Sequence, residues 1–278
     1  MITRSERGGR ILFERGQWMR LLAGLMLGAV TAVAGGCHSA ANAELDKGYA
    51  ALEQNQYNEA MAAADRYLQQ NPTGNGTANA MYLRGRAIEQ RVKRTDAEAS
   101  ANLQDAKAHY LKALQLSPGR TLEAFINTSL GNVCYWLNDY ASAANYWRAA
   151  YNGLENNTLQ SWVLYRIGLC QQRLGQWGEA DRTFAAVQQG FGGTEAAARA
   201  RTHQGYRAFY VQVAAFQSAT SAERLMGSLR AQGLPTFRQE RPERKLQVVL
   251  VGPMKTYADA TAAKDRLRGQ YRDAMVMP

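Results

Sequence analysis

Apolar residues recur at helical spacing along most of the chain, and only the last quarter changes to the alternation of strands. From about residue 42 to residue 206 one frame repeats: a glycine, an aromatic nine residues later, and an alanine three after that. Gly48-Tyr57-Ala60, Gly131-Tyr140-Ala143 and Gly168-Trp177-Ala180 all follow it. In a further copy, with Leu83 and Gly85 and then Ala106, Tyr110 and Ala113, the halves are pushed apart by about nine residues around Arg91–Asp96. Pro72 and Pro118 close the first two copies, where a helix must stop. The frame predicts two antiparallel helices per copy, with Gly and Ala where they cross and the aromatic in the wedge at the turn. Each pair leaves an apolar face that only the next pair can cover. A capping helix is expected at Thr194–His203 (TEAAARARTH).

From Phe209 the period shortens to two. Tyr210-Val211-Gln212-Val213 predicts a strand with Val211 and Val213 on one face. Thr220 and Glu223 fit a capping box for the helix that follows, Ala222, Leu225, Met226 and Leu229 form its apolar stripe, and Gly233 ends it. Pro235–Glu240 is a candidate second strand. Shifted by 38 residues the pattern returns, as Val211/Val249, Val213/Val251, Ala222/Ala260, Leu229/Leu267 and Phe237/Met275. The expected fold is therefore α + α/β: an all-α helical-hairpin array, then a small βαββαβ domain with a four-stranded antiparallel sheet. Two helices cover one face of that sheet and leave the other open to Tyr210, Gln212, Leu246, Val248 and Met275.

Charge and cysteine change the picture at the two ends. Of the formal charge of +10, residues 207–278 contribute twelve Lys/Arg against six Asp/Glu, whereas residues 38–206 carry sixteen against fifteen. Cys37, Cys134 and Cys170 are too scattered for a disulfide framework or a zinc site, and the latter two read as small buried side chains or as one possible pair. At the start, Arg4, Arg7, Arg10, Arg15 and Arg20 precede an apolar run from Leu21 to Ala34, then Gly35-Gly36-Cys37. That is the order of parts in a signal peptide. The run of 14 residues is short of the roughly 20 that a membrane-spanning helix needs.

Three sets of residues carry resemblances. Ala34-Gly35-Gly36-Cys37 resembles a bacterial lipobox, which implies lipid on Cys37 as the new N-terminus and stable anchoring to a membrane. Ala34 stands where the family usually has Leu. The absence of Asp after the cysteine, where His38 and Ser39 stand, favours the outer over the inner membrane by the same resemblance, and implies a protein facing the periplasm. The Gly-aromatic-Ala frame resembles tetratricopeptide (TPR) repeats, in about four units, which implies a groove for an envelope protein. Asn127, Asn132, Arg166 and Gln171 are its candidate residues.

Tyr210–Phe216 (YVQVAAF), the SAERLMGSL helix and Val251-Gly252-Pro253 together resemble the SPOR family of cell-wall-binding modules. That resemblance implies binding to septal peptidoglycan strands stripped of stem peptides by amidases. Stripping uncovers the lactyl carboxylate of each muramic acid, so a basic domain suits such a strand. Gln212 offers a donor and an acceptor to a sugar amide. Tyr210, Ala215, Leu246, Val248, Met275, Arg241 and Arg244 complete the candidate site, with Arg238 and Lys245 near the same turn. Ala214, Ala215, Leu246 and Met254 depart from the usual residues.

The organisation expected is a signal peptide over 1–36, a lipidated N-terminus and short tether over 37–41, helical repeats over 42–206 and the SPOR domain over 207–278. His38, His109 and His203 lie in three different settings, and there is no nucleophile elbow, metal-ligand pair or phosphate loop. The expectation is no catalytic residue, no metal, no cofactor and no nucleic-acid partner. The partners are glycan, a protein and, through lipid, a membrane. A pure protein scaffold for envelope assembly or wall synthesis, its SPOR-like domain having lost its ligand, is the alternative.

Overall fold

The computed structural model describes residues 40–278 apart from 75, 92 and 94, with side chains from residue 43 onward. Cys37 and the whole signal-peptide segment lie outside the described residues. Helices α1 (Ala40–Glu53) and α2 (Tyr57–Gln70), α3 (Thr77–Gln90) and α4 (Asp96–Gln115), α5 (Arg120–Trp136) and α6 (Tyr140–Tyr151), and α7 (Asn157–Arg173) and α8 (Trp177–Gly190) follow one another as hairpins. The short α9 (Glu195–His203) comes next, its first turn capped by Thr194, whose hydroxyl accepts from the Ala197 N–H at 3.2 Å. The helices are an array of TPR-like hairpins. No helix among the described residues is long and apolar enough to cross a membrane.

The alanines of the repeating frame, Ala60, Ala106, Ala143 and Ala180, are all buried at the crossings. The glycines are more specific in their use. A Cβ on Gly168 would stand 2.6 Å from the Phe184 ring, one on Gly85 2.6 Å from Tyr110, and one on Gly131 would strike Trp147. Phe184 and Trp147 lie sixteen residues after their glycines, and Tyr110 twenty-five after Gly85, which is sixteen plus the nine-residue insertion. The wedge between the helices is thus filled from the body of the second helix, by the eighth residue of α6 and of α8 and the fifteenth of α4, and not by the aromatic at the turn. The insertion is absorbed by a longer second helix: α4 has 20 residues against 12 for α6. A capping box closes its start, with Thr95 accepting from Glu98 N–H at 3.1 Å and Glu98 accepting from Thr95 N–H at 3.3 Å.

Under this extended helix lies a buried polar cluster. The Tyr110 hydroxyl donates to Glu89 Oε2 at 2.5 Å, and Arg86 donates to the Tyr82 hydroxyl at 3.0 Å. Arg86 and Glu89 are both buried. Burial, with the Glu89 carboxylate beside it, pushes the Tyr110 hydroxyl well above its ordinary pKa.

The described residues form two compact units that divide between Val163 and Leu164, within α7. In the second, the chain continues from α9 into β1 (Phe209–Phe216), α10 (Ala219–Ala231), β2 (Thr236–Arg241), a 3₁₀ turn (Pro242–Arg244), β3 (Leu246–Met254), α11 (Tyr257–Leu267) and β4 (Met275–Met277). The four-stranded sheet has the order β2-β3-β1-β4, antiparallel throughout. The α10 cap is Ser218, accepting from Ser221 N–H at 3.4 Å, so the helix starts ahead of the Thr220 box expected from the sequence. Val211, Val213, Val249 and Val251 pack with Ala222, Met226, Leu229 and Leu267 into one core on the helix-covered side.

Within this unit the sheet is seated on the α7/α8 hairpin. Trp177 lies 4.9 Å from Phe209, ring to ring, and the Arg173 guanidinium sits 3.7 Å over Tyr257. The connection before β1 is tied down as well, since Asp181 accepts from the Gly205 N–H and pairs with Arg207, both at 2.8 Å. Gly175, at φ +76°, turns the hairpin where a Cβ would stand 3.0 Å from the Lys255 carbonyl.

Candidate functional site

Cross-strand partners point to the same side of a sheet, so the register assigns the face that no helix covers. It carries Tyr210, Gln212 and Ala215 on β1, Phe237, Gln239 and Arg241 on β2, Leu246, Val248 and Leu250 on β3, and Met275 and Met277 on β4. Strict alternation from Gln212 would have sent Ala215 to the helix side. A bulge between Gln212 and Ala214 resets the strand: Gln212 pairs with Leu250 and Ala215 with Val248, two residues on against three. Ala215 is accordingly exposed on the open face, while Phe216 packs against the core.

Tyr210 and Phe237 stand on strands either side of β3 and meet edge to face over it, 5.8 Å apart at 81°. Gly252 permits this, because a Cβ there would lie 2.8 Å from Tyr210 Cδ1. The Val-Gly-Pro segment has a local reason for its glycine: its φ of +151° and the ring above it both exclude a side chain. Phe237 and Met275 are each 44 % exposed, which makes them two of the few large apolar side chains standing in solvent among the described residues. Gln212 is half-buried, and its amide has no hydrogen-bond partner among the described residues.

The remaining predicted residues sort by depth. Leu246 is half-buried. Val248, with only 1 % exposed, is the floor of the face and not a surface that a ligand could touch. Arg241 is on the face, its Nη2 donating to Met277 Sδ at 3.8 Å. Arg244 and Lys245 are exposed on the β2–β3 turn, Lys245 with a left-handed φ of 50°. Arg238 points to the helix side, paired with Glu223 at 3.1 Å. Phe237, Gln239 and Met277 belong to the face although strand alternation alone had not assigned them to it. The 38-residue repeat held the signal for the first of them, since Phe237 is the counterpart of Met275.

The four candidate groove residues divide between the two units. Asn127 is buried but borders a cleft of about 560 Å³ with Leu114, Glu123, Asn145 and Tyr146. Asn132 is buried. In the second unit Arg166 is half-buried, and Gln171 is buried with its amide oxygen accepting from the Thr183 hydroxyl at 2.7 Å. That bond ties α7 to α8, so Gln171 serves the hairpin. Cys134 and Cys170 are buried thiols, as small core side chains are. Burial is the main cause that lifts the Cys134 pKa above its ordinary value, which keeps it protonated and unreactive. Among the described residues no group of His, Cys, Asp and Glu could hold a metal ion.

The described residues thus form a TPR-like hairpin array followed by a four-stranded sheet domain with one uncovered face. The family models agree with both parts. The model described as SPOR domain matches residues 205–278, and the model described as outer membrane lipoprotein (YfiO) matches residues 26–118. Among solved structures, the crystal structure of MamA protein is similar at 15% identity and a TM-score of 0.45, covering 69% of this chain and 92% of that one. No curated protein matches the chain.

Proposed function

We propose that this protein is a non-enzymatic envelope adaptor, anchored by lipid on Cys37, that binds amidase-stripped peptidoglycan through its SPOR domain and a protein partner through its hairpin array. The observation that carries the reading is the uncovered sheet face, with half-buried Tyr210 packed on exposed Phe237, the unpartnered Gln212 amide beside them and Arg241 at its rim. Aromatic faces lie against sugar rings, an amide matches an N-acetyl group, and a guanidinium matches a lactyl carboxylate. Tyr210, Gln212, Ala215, Leu246, Met275, Arg241 and Arg244 remain the proposed contact set, extended by Phe237 and Gln239 and supported from beneath by Val248. The SPOR and outer membrane lipoprotein family matches support the wall and envelope parts of the reading. For the protein partner, the cleft at Asn127 is the proposed seat.

The test is sedimentation of the purified full chain with amidase-treated and untreated sacculi. Stronger sedimentation with treated sacculi is expected, and Gln212→Ala should weaken it several-fold while leaving the melting temperature unchanged. Equally poor sedimentation with both sacculi rejects the glycan part. That outcome selects the second reading, a protein scaffold whose SPOR domain has lost its ligand, which draws support from the burial of Val248 and Leu250 on the uncovered face. For the anchor, Cys37→Ser should release the protein from membranes and change its processing; a variant that stays membrane-bound and normally processed removes the lipid from the proposal.

A further inference from the structure

We infer that Arg241 is the residue by which this face distinguishes an anionic sugar from its neutral counterpart; the inference rests on the glycan reading above. Arg241 is on β2 and Met277 on β4, at opposite edges of the sheet, with β3 and β1 between them. Their 3.8 Å contact therefore passes over the uncovered face. Val248 and Leu250 are 1 % and 8 % exposed, although no helix covers their side of the sheet.

The contact is a weak one. A guanidinium has five N–H donors, whereas a thioether sulfur is a poor acceptor. Among the described residues, Arg241 is also the one charged side chain that the register places on this face; the Glu240 carboxylate accepts from Gln247 on the other side, and Arg238 is already paired with Glu223. A ligand carboxylate arriving here meets no repulsion from the face and finds an arginine with unused donors. It would accept two parallel, charge-assisted bonds in place of the thioether contact.

That exchange makes binding selective. A ligand that engages Arg241 must draw its side chain away from Met277, so it must offer a better partner than sulfur. A muramic lactyl group with its carboxylate free does so. The same group capped as an amide by a stem peptide offers only a neutral carbonyl, which neither pairs bidentately nor draws the guanidinium away. Selection for stripped strands is then built into one side chain.

The experiment uses the full chain and three preparations: untreated sacculi, amidase-treated sacculi, and treated sacculi whose carboxylates have been converted to amides. The wild-type protein should sediment best with the second preparation. A charge-assisted bond contributes about 1.5–3 kcal/mol, so Arg241→Met should bind treated sacculi about ten- to a hundredfold more weakly. It should also bind treated and amidated sacculi alike. Arg241→Lys, which keeps the charge without the planar fork, should fall between the two and retain some sensitivity to amidation. Arg230→Met, on the far end of α10, should match the wild type. Binding by the wild type should fall with added salt, and binding by Arg241→Met should fall less steeply.

Should Arg241→Met keep the wild-type preference for treated over amidated sacculi, Arg241 does not read the carboxylate, even though the glycan reading stands. A wild-type protein that fails to separate treated from untreated sacculi ends the glycan reading and this inference together. If Arg241→Met melts lower than the wild type, the response of Arg241→Lys to amidation decides: a wild-type-like loss on amidation supports the inference, and no loss rejects it.

Discussion

Gly168→Ala tests whether the repeat glycines exist for close packing or merely tolerate it. Gly168 lies within α7, where alanine is favoured over glycine by about 1 kcal/mol on propensity alone. Against that gain, the added Cβ would stand 2.6, 2.8 and 3.2 Å from Cε1, Cδ1 and Cζ of Phe184. Carbon atoms are at their best near 3.5–4.0 Å, so the ring would have to retreat by roughly 1 Å. It has nowhere to go, being fully buried with Tyr165 5.9 Å and His203 5.8 Å away, centroid to centroid. Overpacking of this kind costs about 1–3 kcal/mol, and its upper part applies to a rigid enclosed ring. The net expectation is a loss of about 2 kcal/mol, or roughly 4–8 °C in melting temperature for a chain of this size. Gly227→Ala supplies the opposite sign, since it lies inside α10 with nothing within 4 Å of its would-be Cβ. It should gain about 1 kcal/mol. Differential scanning calorimetry of both variants is the assay, with Gly168→Ala/Phe184→Leu added to measure the coupling, expected at about 1 kcal/mol or more in the direction of rescue. A Gly168→Ala protein as stable as the wild type, beside a stabilised Gly227→Ala, would refute the close-packing account.

Tyr110→Phe should cost about 1–3 kcal/mol, because the buried Glu89 carboxylate loses a 2.5 Å bond that nothing replaces; denaturant titration reads this as a lower midpoint, and an unchanged midpoint would mean that Glu89 finds another donor. His203 carries a pH dependence: burial, then Arg173 and Arg199, lower its pKa to about 4 from an ordinary 6.5. The unfolded chain therefore binds the proton first, so stability is full above pH 6.5 and falls as pH drops toward 4, by up to about 3 kcal/mol. Thermal melts between about pH 7 and pH 4 should show this slope, and His203→Gln should flatten it. Trp177→Ala should destabilise the second unit by about 3–5 kcal/mol if its packing on Phe209 is as complete as a core site, and a small effect would show that the sheet does not lean on the hairpin.

The hairpin array and the doubled βαβ plan are legible in the chain because both are built from short-range periodicity. A glycine and an alanine twelve residues apart specify a helix crossing within one hairpin, and apolar alternation specifies which side of a strand faces helices. The same alternation is enough by itself to put Tyr210, Gln212 and Met275 on the uncovered face. It could not place the aromatic that fills each wedge, because the turn residue and the residue seven positions further on are equally apolar, and only the crossing geometry selects Trp147 and Phe184. Nor could it see the bulge that brings Ala215 round to the side of Gln212, since one extra residue changes nothing in composition while reversing every side chain after it. Depth was the last thing that only tertiary structure decided. Val248 has the right parity for a contact residue, yet it is only 1 % exposed, on a face where Arg241 from one edge of the sheet meets Met277 from the other. Nothing within a few residues of Val248 encodes that meeting; it exists because the strand order β2-β3-β1-β4 sets Arg241 and Met277 on either side of it.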